Sequence, residues 1–400
     1  MAVRTVEQMV QNSELLTLNM GPQHPSTHGV LRLLLQIDGE TVISLKPDVG
    51  YLHRGKEKLA EVKTYHQFIP YTDRLDYLSP MSNNFAYVGA VEKLLGIEVT
   101  EKCKYLRTML CELARISSHL LWLGAHALDL GAMTVFLYSF QEREKIYDIF
   151  EEIAGARFTV SFMRVGGVAR DIPDGWLDRV RKFVTEFPKR YEECNTLLTR
   201  NHVFVLRTKG VGAISAEEAI SLGLSGASLR GSGVPWDLRK TNPYLVYDRM
   251  NFEMCTEKDG DVYARYMVRM REMLESARII EQCLRDMPTT GGVNIDNPKI
   301  MYPGKEKVHE SMESLIHHFL LASEGMEVPE GEVYHGIEAP KGELGFYIYS
   351  TGGHKPYRLK IRSPSFINLQ SLETMCIGRM IADVVAIIAS LDVVLGEIDR

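Results

Sequence analysis

Between Leu15 and Lys46 the apolar residues fall in short runs, "LLTLNM", "VLRLLLQI" and "TVISL", whose length and alternation predict strands. Asp38-Gly39 supplies a hairpin turn between the last two. A second strand-rich stretch lies near the far end, where "ELGFYIYS" and "PYRLKIR" flank "TGGHK" and Tyr357, Leu359 and Ile361 alternate with Arg358, Lys360 and Arg362. These strands are expected to join the first sheet.

Between the two stretches the period becomes helical. Leu106, Met109, Leu110 and Leu113 recur at helical spacing, as do Ile146, Ile149, Phe150 and Ile153, and later Met312, Leu315, Ile316 and Phe319. Val262 to Met287 forms another long amphipathic segment, and 210–243 is the main irregular excursion. The expected class is α+β, a small antiparallel sheet of N- and C-terminal strands on a long helical bundle. Its expected divisions are an N-terminal sheet domain over 1–75, a bundle over 76–330 with an excursion at about 201–260, and C-terminal strands with a buried terminal helix over 331–400.

Charge adds little pull toward a particular partner. Lys plus Arg is 46 against Asp plus Glu at 52, a net charge of -6, so no global field favours nucleic acid or anionic lipid. The six cysteines, at 103, 111, 194, 255, 283 and 376, never approach CxxC spacing, and read as reduced core thiols of a cytoplasmic protein without a cluster of its own. The residues before Leu15 are too polar for a secretory signal. "HLLWLGAHALDLGAMTVFLYSF" is long enough to span a membrane, but His119, His126 and Asp129 fall inside it, and an ionisable group at the bilayer centre costs at least ~2.5 kcal/mol. A buried helix is expected there, and likewise over "MIADVVAIIASLDVVLGEI".

Common chemistries lose their usual support. Neither Gly210-Val211-Gly212 nor Gly231-Ser232-Gly233 completes a GxGxxG, and GxxxxGK[ST], HExxH and GxSxG are absent. What remains are polar residues where loops meet apolar elements: "GPQHPSTHG", "GYLHRGKEK", "YTDRLDYLS", "ALDLGAMT" and "SLDVVLGEIDR". Pro25 keeps His24 and His28 from sharing a regular helix face, which disfavours a helical metal pair. Taken singly, these residues have structural readings. His28 could cap a strand, Tyr77 could be an interfacial aromatic, Asp129 a helix cap and Arg74 half of a local ion pair.

Together, "TLNMGPQHPSTHGVLRL", "GYLHRGKEKLAE", "DRLDYLSPM", "AVEKLLGIEVT", "GEVYHGIEAPKGELGFYI", "SPSFINLQSL" and "VAIIASLDVVLGEIDR" resemble the family of the D-type, hydrogenase-like large subunit of proton-pumping NADH-quinone oxidoreductase, respiratory complex I, over essentially the whole chain. The resemblance implies descent from the large subunit of nickel-iron hydrogenases, whose metal is held by RxCxxC and DPCxxCxxH. Here Asp76 and Ser79 stand where the first pair of thiolates would be; the second motif runs from Asp392 through Val393-Val394-Leu395-Gly396-Glu397 to Arg400 in place of the histidine. Such groups do not satisfy a soft metal. The implied use of the cavity is to hold a quinone headgroup, with His28 and Tyr77 on its two carbonyl oxygens and Asp129 paired with the histidine.

The resemblance further implies that Arg74 faces an iron-sulfur cluster held by the neighbouring small subunit, the B-type component of the complex. Other implied partners are the C-type component and the membrane subunit forming the quinone entrance. The chain would be peripheral on the cytoplasmic side of the bacterial inner membrane, would take quinone as substrate, and would bind no metal, flavin, nucleotide or nucleic acid. His24 is read as loop structure. Where many members carry a histidine, two residues after the arginine of "GARF", this chain has Thr159, which does not titrate near neutrality. The alternatives are the equivalent subunit of a complex fed by ferredoxin or another donor, or a scaffold without chemistry.

Overall fold

The computed structural model describes residues 15–24 and 27–400. Strands β1 (Leu16–Met20), β2 (Arg32–Asp38) and β3 (Thr41–Asp48) form an antiparallel sheet in that order. Asp38 pairs with Thr41 across a two-residue turn, Gly39-Glu40, in which Gly39 takes φ 60°. The alternation is directional: Leu33 and Leu35 are fully buried while Gln36 is exposed. Gly21 is obligatory at the end of β1. It has φ 88°, and an added Cβ would stand 2.1 Å from the Leu31 carbonyl oxygen.

The longer helices are α1 (Pro80–Leu95), α2 (Glu101–Asp129), α3 (Met133–Ala154), α4 (Trp176–Leu198), α5 (Val262–Asp286), α6 (Met312–Ser323) and α7 (Ile381–Leu391). In α2 the run from Tyr105 to Leu120 is buried throughout, so this helix is the axis of the bundle, with α3, α5 and α7 packed along it. Thr100 starts it by accepting from the Cys103 amide at 3.3 Å, and its hydroxyl donates to the Gly292 carbonyl at 2.8 Å. Thr100→Ala is expected to cost about 1 kcal/mol in urea unfolding of the purified chain; no change in the midpoint would show the cap to be dispensable.

The candidate membrane stretch is interrupted. α2 ends at Asp129, Gly131 takes φ 87°, and α3 begins at Met133. Among the described residues no helix is long and apolar enough to cross a membrane. The six cysteines are buried and unpaired.

The far strands do not join the first sheet. A two-residue ribbon, β4 (Met163–Arg164) with β5 (Gly167–Val168), intervenes, and then, among the described residues, β6 (Val328–Ala339), β7 (Gly342–Gly353) and β8 (Arg358–Arg362) pair only with one another. The reason is which core each sheet covers. Val333, Phe346, Ile348, Leu359 and Ile361 belong to the apolar cluster of α1–α5, whereas Leu33, Leu35 and Leu45 pack with the excursion and α7. Tyr357, which the alternation grouped with Leu359 and Ile361, lies outside the strand and is 65% exposed. The periodic segment from Met312 does form a helix, α6, but Met312 and Phe319 are 78% and 67% exposed, so its apolar stripe is left largely open by the described residues.

Candidate functional site

His28 sits in the short connection from β1 to β2 with φ 50°, a left-handed conformation that costs a residue with a Cβ and clusters at functional positions. Its Nε2 meets Asp129 Oδ2 at 2.8 Å across 101 residues of sequence. The carboxylate is on the last residue of α2, where the partial negative charge of the helix end opposes it by ~0.3–1 kcal/mol. Pairing with imidazole offsets that penalty. Both side chains stay partly open, at 19% and 17%. His24 serves the loop with its carbonyl, which accepts from the Thr27 amide and hydroxyl at 3.2 and 3.0 Å.

Tyr77 lies in the loop before α1, half-buried, its ring 6.0 Å from that of Phe158. Burial raises its hydroxyl pKa and the neighbouring Asp76 carboxylate adds to the effect. The loop is held by Asp73, whose Oδ2 accepts from the Ser161 amide at 2.9 Å and from its hydroxyl at 2.5 Å. Burial nevertheless lifts Asp73 to about 6. Arg74, by contrast, is exposed and donates to the Pro70 carbonyl at 2.5 Å. Thr159 is half-buried next to Phe158.

The chain end joins the two loops. An added Cβ on Gly29 would lie 3.3 Å from Leu395, and one on Gly396 would lie 2.7 Å from the Leu75 carbonyl oxygen and 3.4 Å from the Tyr77 ring. Leu395-Gly396 therefore has the histidine loop on one side and the tyrosine loop on the other, and the glycine is what permits the second approach.

Around this junction Asp76, at a position compared with a metal-binding thiolate, and Asp392, the first residue of the second motif, come together on a cation that pattern reading missed. Lys341, in the β6–β7 turn and fully buried, has its Nζ 3.4 Å from Asp76 and 3.2 Å from Asp392 and donates to Ser118 at 3.0 Å. Burial alone would lower its pKa, but Asp392, Asp76 and Glu397 outweigh it. The signal in the sequence was a lysine in a turn between two apolar strands. Among the described residues no group of three histidine, cysteine or acidic side chains is arranged to hold a metal ion.

Residues 129–400 match the family described as respiratory-chain NADH dehydrogenase, 49 Kd subunit. The chain is 57% identical over 389 residues to the D-type subunit of NADH-quinone oxidoreductase from Geotalea uraniireducens (strain Rf4), covering 97% of this chain and 100% of that one. It is similarly 56% identical over 385 residues to the D-type subunit numbered 2 of Koribacter versatilis (strain Ellin345), covering 96% of each. The D-type subunit numbered 1 of Chloroherpeton thalassium (strain ATCC 35110 / GB-78) aligns over 399 residues at 55% identity, covering 100% of this chain and 90% of that one.

Proposed function

Because the chain belongs to the family of the 49 Kd subunit of respiratory-chain NADH dehydrogenase, and is thereby a subunit of NADH-quinone oxidoreductase, complex I, we propose that it carries the quinone-reduction site of that assembly, at His28 and Tyr77. The observation that carries this reading is the His28–Asp129 pair, held in left-handed backbone on one side and at an unfavourable helix end on the other.

Reduction of a quinone by two electrons puts negative charge on both ring oxygens, and donors already aimed at them stabilise it. His28 gives a proton to one oxygen and Tyr77 to the other, while Asp129 orients the imidazole and compensates its positive charge. The electrons come from an iron-sulfur cluster in the neighbouring small subunit, on the side where Arg74 is exposed. Thr159 adds no titrating group there, so the cluster should show no pH dependence arising from this position. The chain sits peripherally on the cytoplasmic side of the membrane, against the iron-sulfur small subunit, the C-type component and a membrane subunit.

Tyr77→Phe in the assembled complex tests the site. A hydrogen bond to a charged group is worth ~1.5–3 kcal/mol, so quinone reduction should fall at least about tenfold while NADH oxidation by an artificial acceptor is retained. A variant that assembles and reduces quinone at the parental rate would make the chain a scaffold at this position.

A further inference from the structure

Asp76, Asp392 and Glu397 gather around a single buried ammonium, that of Lys341, and the three are not equivalent. Asp392 is held by Lys341 at 3.2 Å. Glu397 is 1% exposed, and its Oε2 takes both donors of Ser365, the amide at 3.3 Å and the hydroxyl, while its Oε1 has no hydrogen-bond partner. Asp76, also 1% exposed, accepts from the Leu78 amide with Oδ1; its Oδ2 has only the 3.4 Å ion pair to Lys341 and no hydrogen bond. An ionised carboxylate is acceptor-only, so two buried carboxylates, each with one oxygen that no hydrogen bond reaches, are a costly arrangement that one retained proton relieves.

We propose that the Asp76/Glu397 pair is a buried proton store that reloads the Tyr77 hydroxyl after it has protonated the reduced quinone. The proposal rests on the reading of Tyr77 as a quinone donor. Asp76 and Tyr77 are consecutive, and Asp76 is the leading charge acting on the tyrosine. A quinone takes two electrons, derived from NADH through the iron-sulfur donor, and two protons. One proton leaves Tyr77 Oη as the ring oxygen gains it; the Tyr77 oxyanion then takes the stored proton, and solvent refills the pair. Asp76 and Glu397 act through Tyr77 and are proton-positioning residues.

The charged neighbours agree with storage. Burial pushes Glu397 up to about 7, and the Asp76 charge adds to it against the opposing Ser365 and Lys341. Asp76 is raised by burial against the pull of Lys341. From the loop side Lys56 donates to the Arg74 and Gly396 carbonyls at 2.5 and 3.0 Å; burial and the Arg54 charge bring it down to about 8. Arg74 also repels Lys56, while Asp399 on the same side attracts it. Arg143 on α3 acts on Asp76, and Arg269 on α5 faces Asp392. Since an acid raised to about 7 keeps its proton below that pH and loses it above, reloading should fail on the alkaline side.

Glu397→Gln and Glu397→Asp are compared in the assembled complex, with artificial-acceptor NADH oxidation as the measure of assembly. The expected result is that Glu397→Gln lowers quinone reduction at pH 6 at least about tenfold and flattens the alkaline decline, while Glu397→Asp keeps the decline. A parental profile in Glu397→Gln, or equal loss in both variants, would overturn the proposal. An infrared pH titration of the oxidised complex reads the store without turnover: a protonated-carboxyl band should bleach as pH rises through about 7 and be missing in Glu397→Gln. Absence of the band overturns the store. Its presence beside a fully active Tyr77→Phe overturns the link to Tyr77 instead.

Discussion

Arg230→Ala is expected to destabilise the chain by about 3–5 kcal/mol, because it removes one partner from a fully buried ion network and leaves the others uncompensated. The guanidinium donates through Nη1 to Glu338 at 2.7 Å and to the Trp236 carbonyl at 2.9 Å, and through Nη2 to Glu272. Glu272 also meets His119 at 3.0 Å, and the network continues through Asp237 and Arg239 to Glu112. Loss of the cation leaves Glu272 and Glu338 buried without that counter-charge, and both would be driven to take up protons. The deficit should therefore be smaller at pH 5 than at pH 8. Urea unfolding of the purified chain at both values measures it, with Arg181→Ala, from an exposed pair to Asp178, as the surface reference expected to cost under about 1 kcal/mol. A loss for Arg230→Ala no larger than the reference would show that the network contributes nothing to stability.

That network also marks the limit of what could be read along the chain. Strands β1–β3 and the helices α2, α3, α5 and α6 follow from a period of two or 3.6 residues, since periodicity records which side faces a core. It does not record which core. The C-terminal strands carried the same alternation as the first sheet, yet they close over the α1–α5 bundle and pair among themselves. The α6 stripe likewise states that an apolar surface exists, while the described residues leave it largely open. Buried charges are harder still: Arg230 and Glu338 are 108 positions apart, and nothing local distinguishes them from surface residues. The His28–Asp129 contact was legible only through resemblance, because a histidine in a glycine-rich loop and an aspartate at a helix end each have an ordinary structural reading.

On the proposed reading, His28→Ala in the assembled complex is expected to slow quinone reduction on the order of 10²-fold or more, since it removes the proton donor beside the ring oxygen. It also leaves Asp129 without its partner at the end of α2, where the helix end opposes a carboxylate. If the proposed site couples to proton translocation, that unpaired charge is what the enzyme creates transiently each time His28 gives up its proton. The anion would then be repelled within a confined site and bias the position of the short β1–β2 connection. Asp129→Asn separates the charge from the contact, because the amide retains a hydrogen bond to the imidazole. In reconstituted vesicles the charge-based reading expects Asp129→Asn to reduce quinone more slowly and to pump fewer protons per electron pair. Orientation alone would preserve the stoichiometry whatever the rate. An Asp129→Asn enzyme with parental rate and parental stoichiometry would sink the charge-based reading, and a His28→Ala enzyme with undiminished quinone reduction would remove His28 from the site.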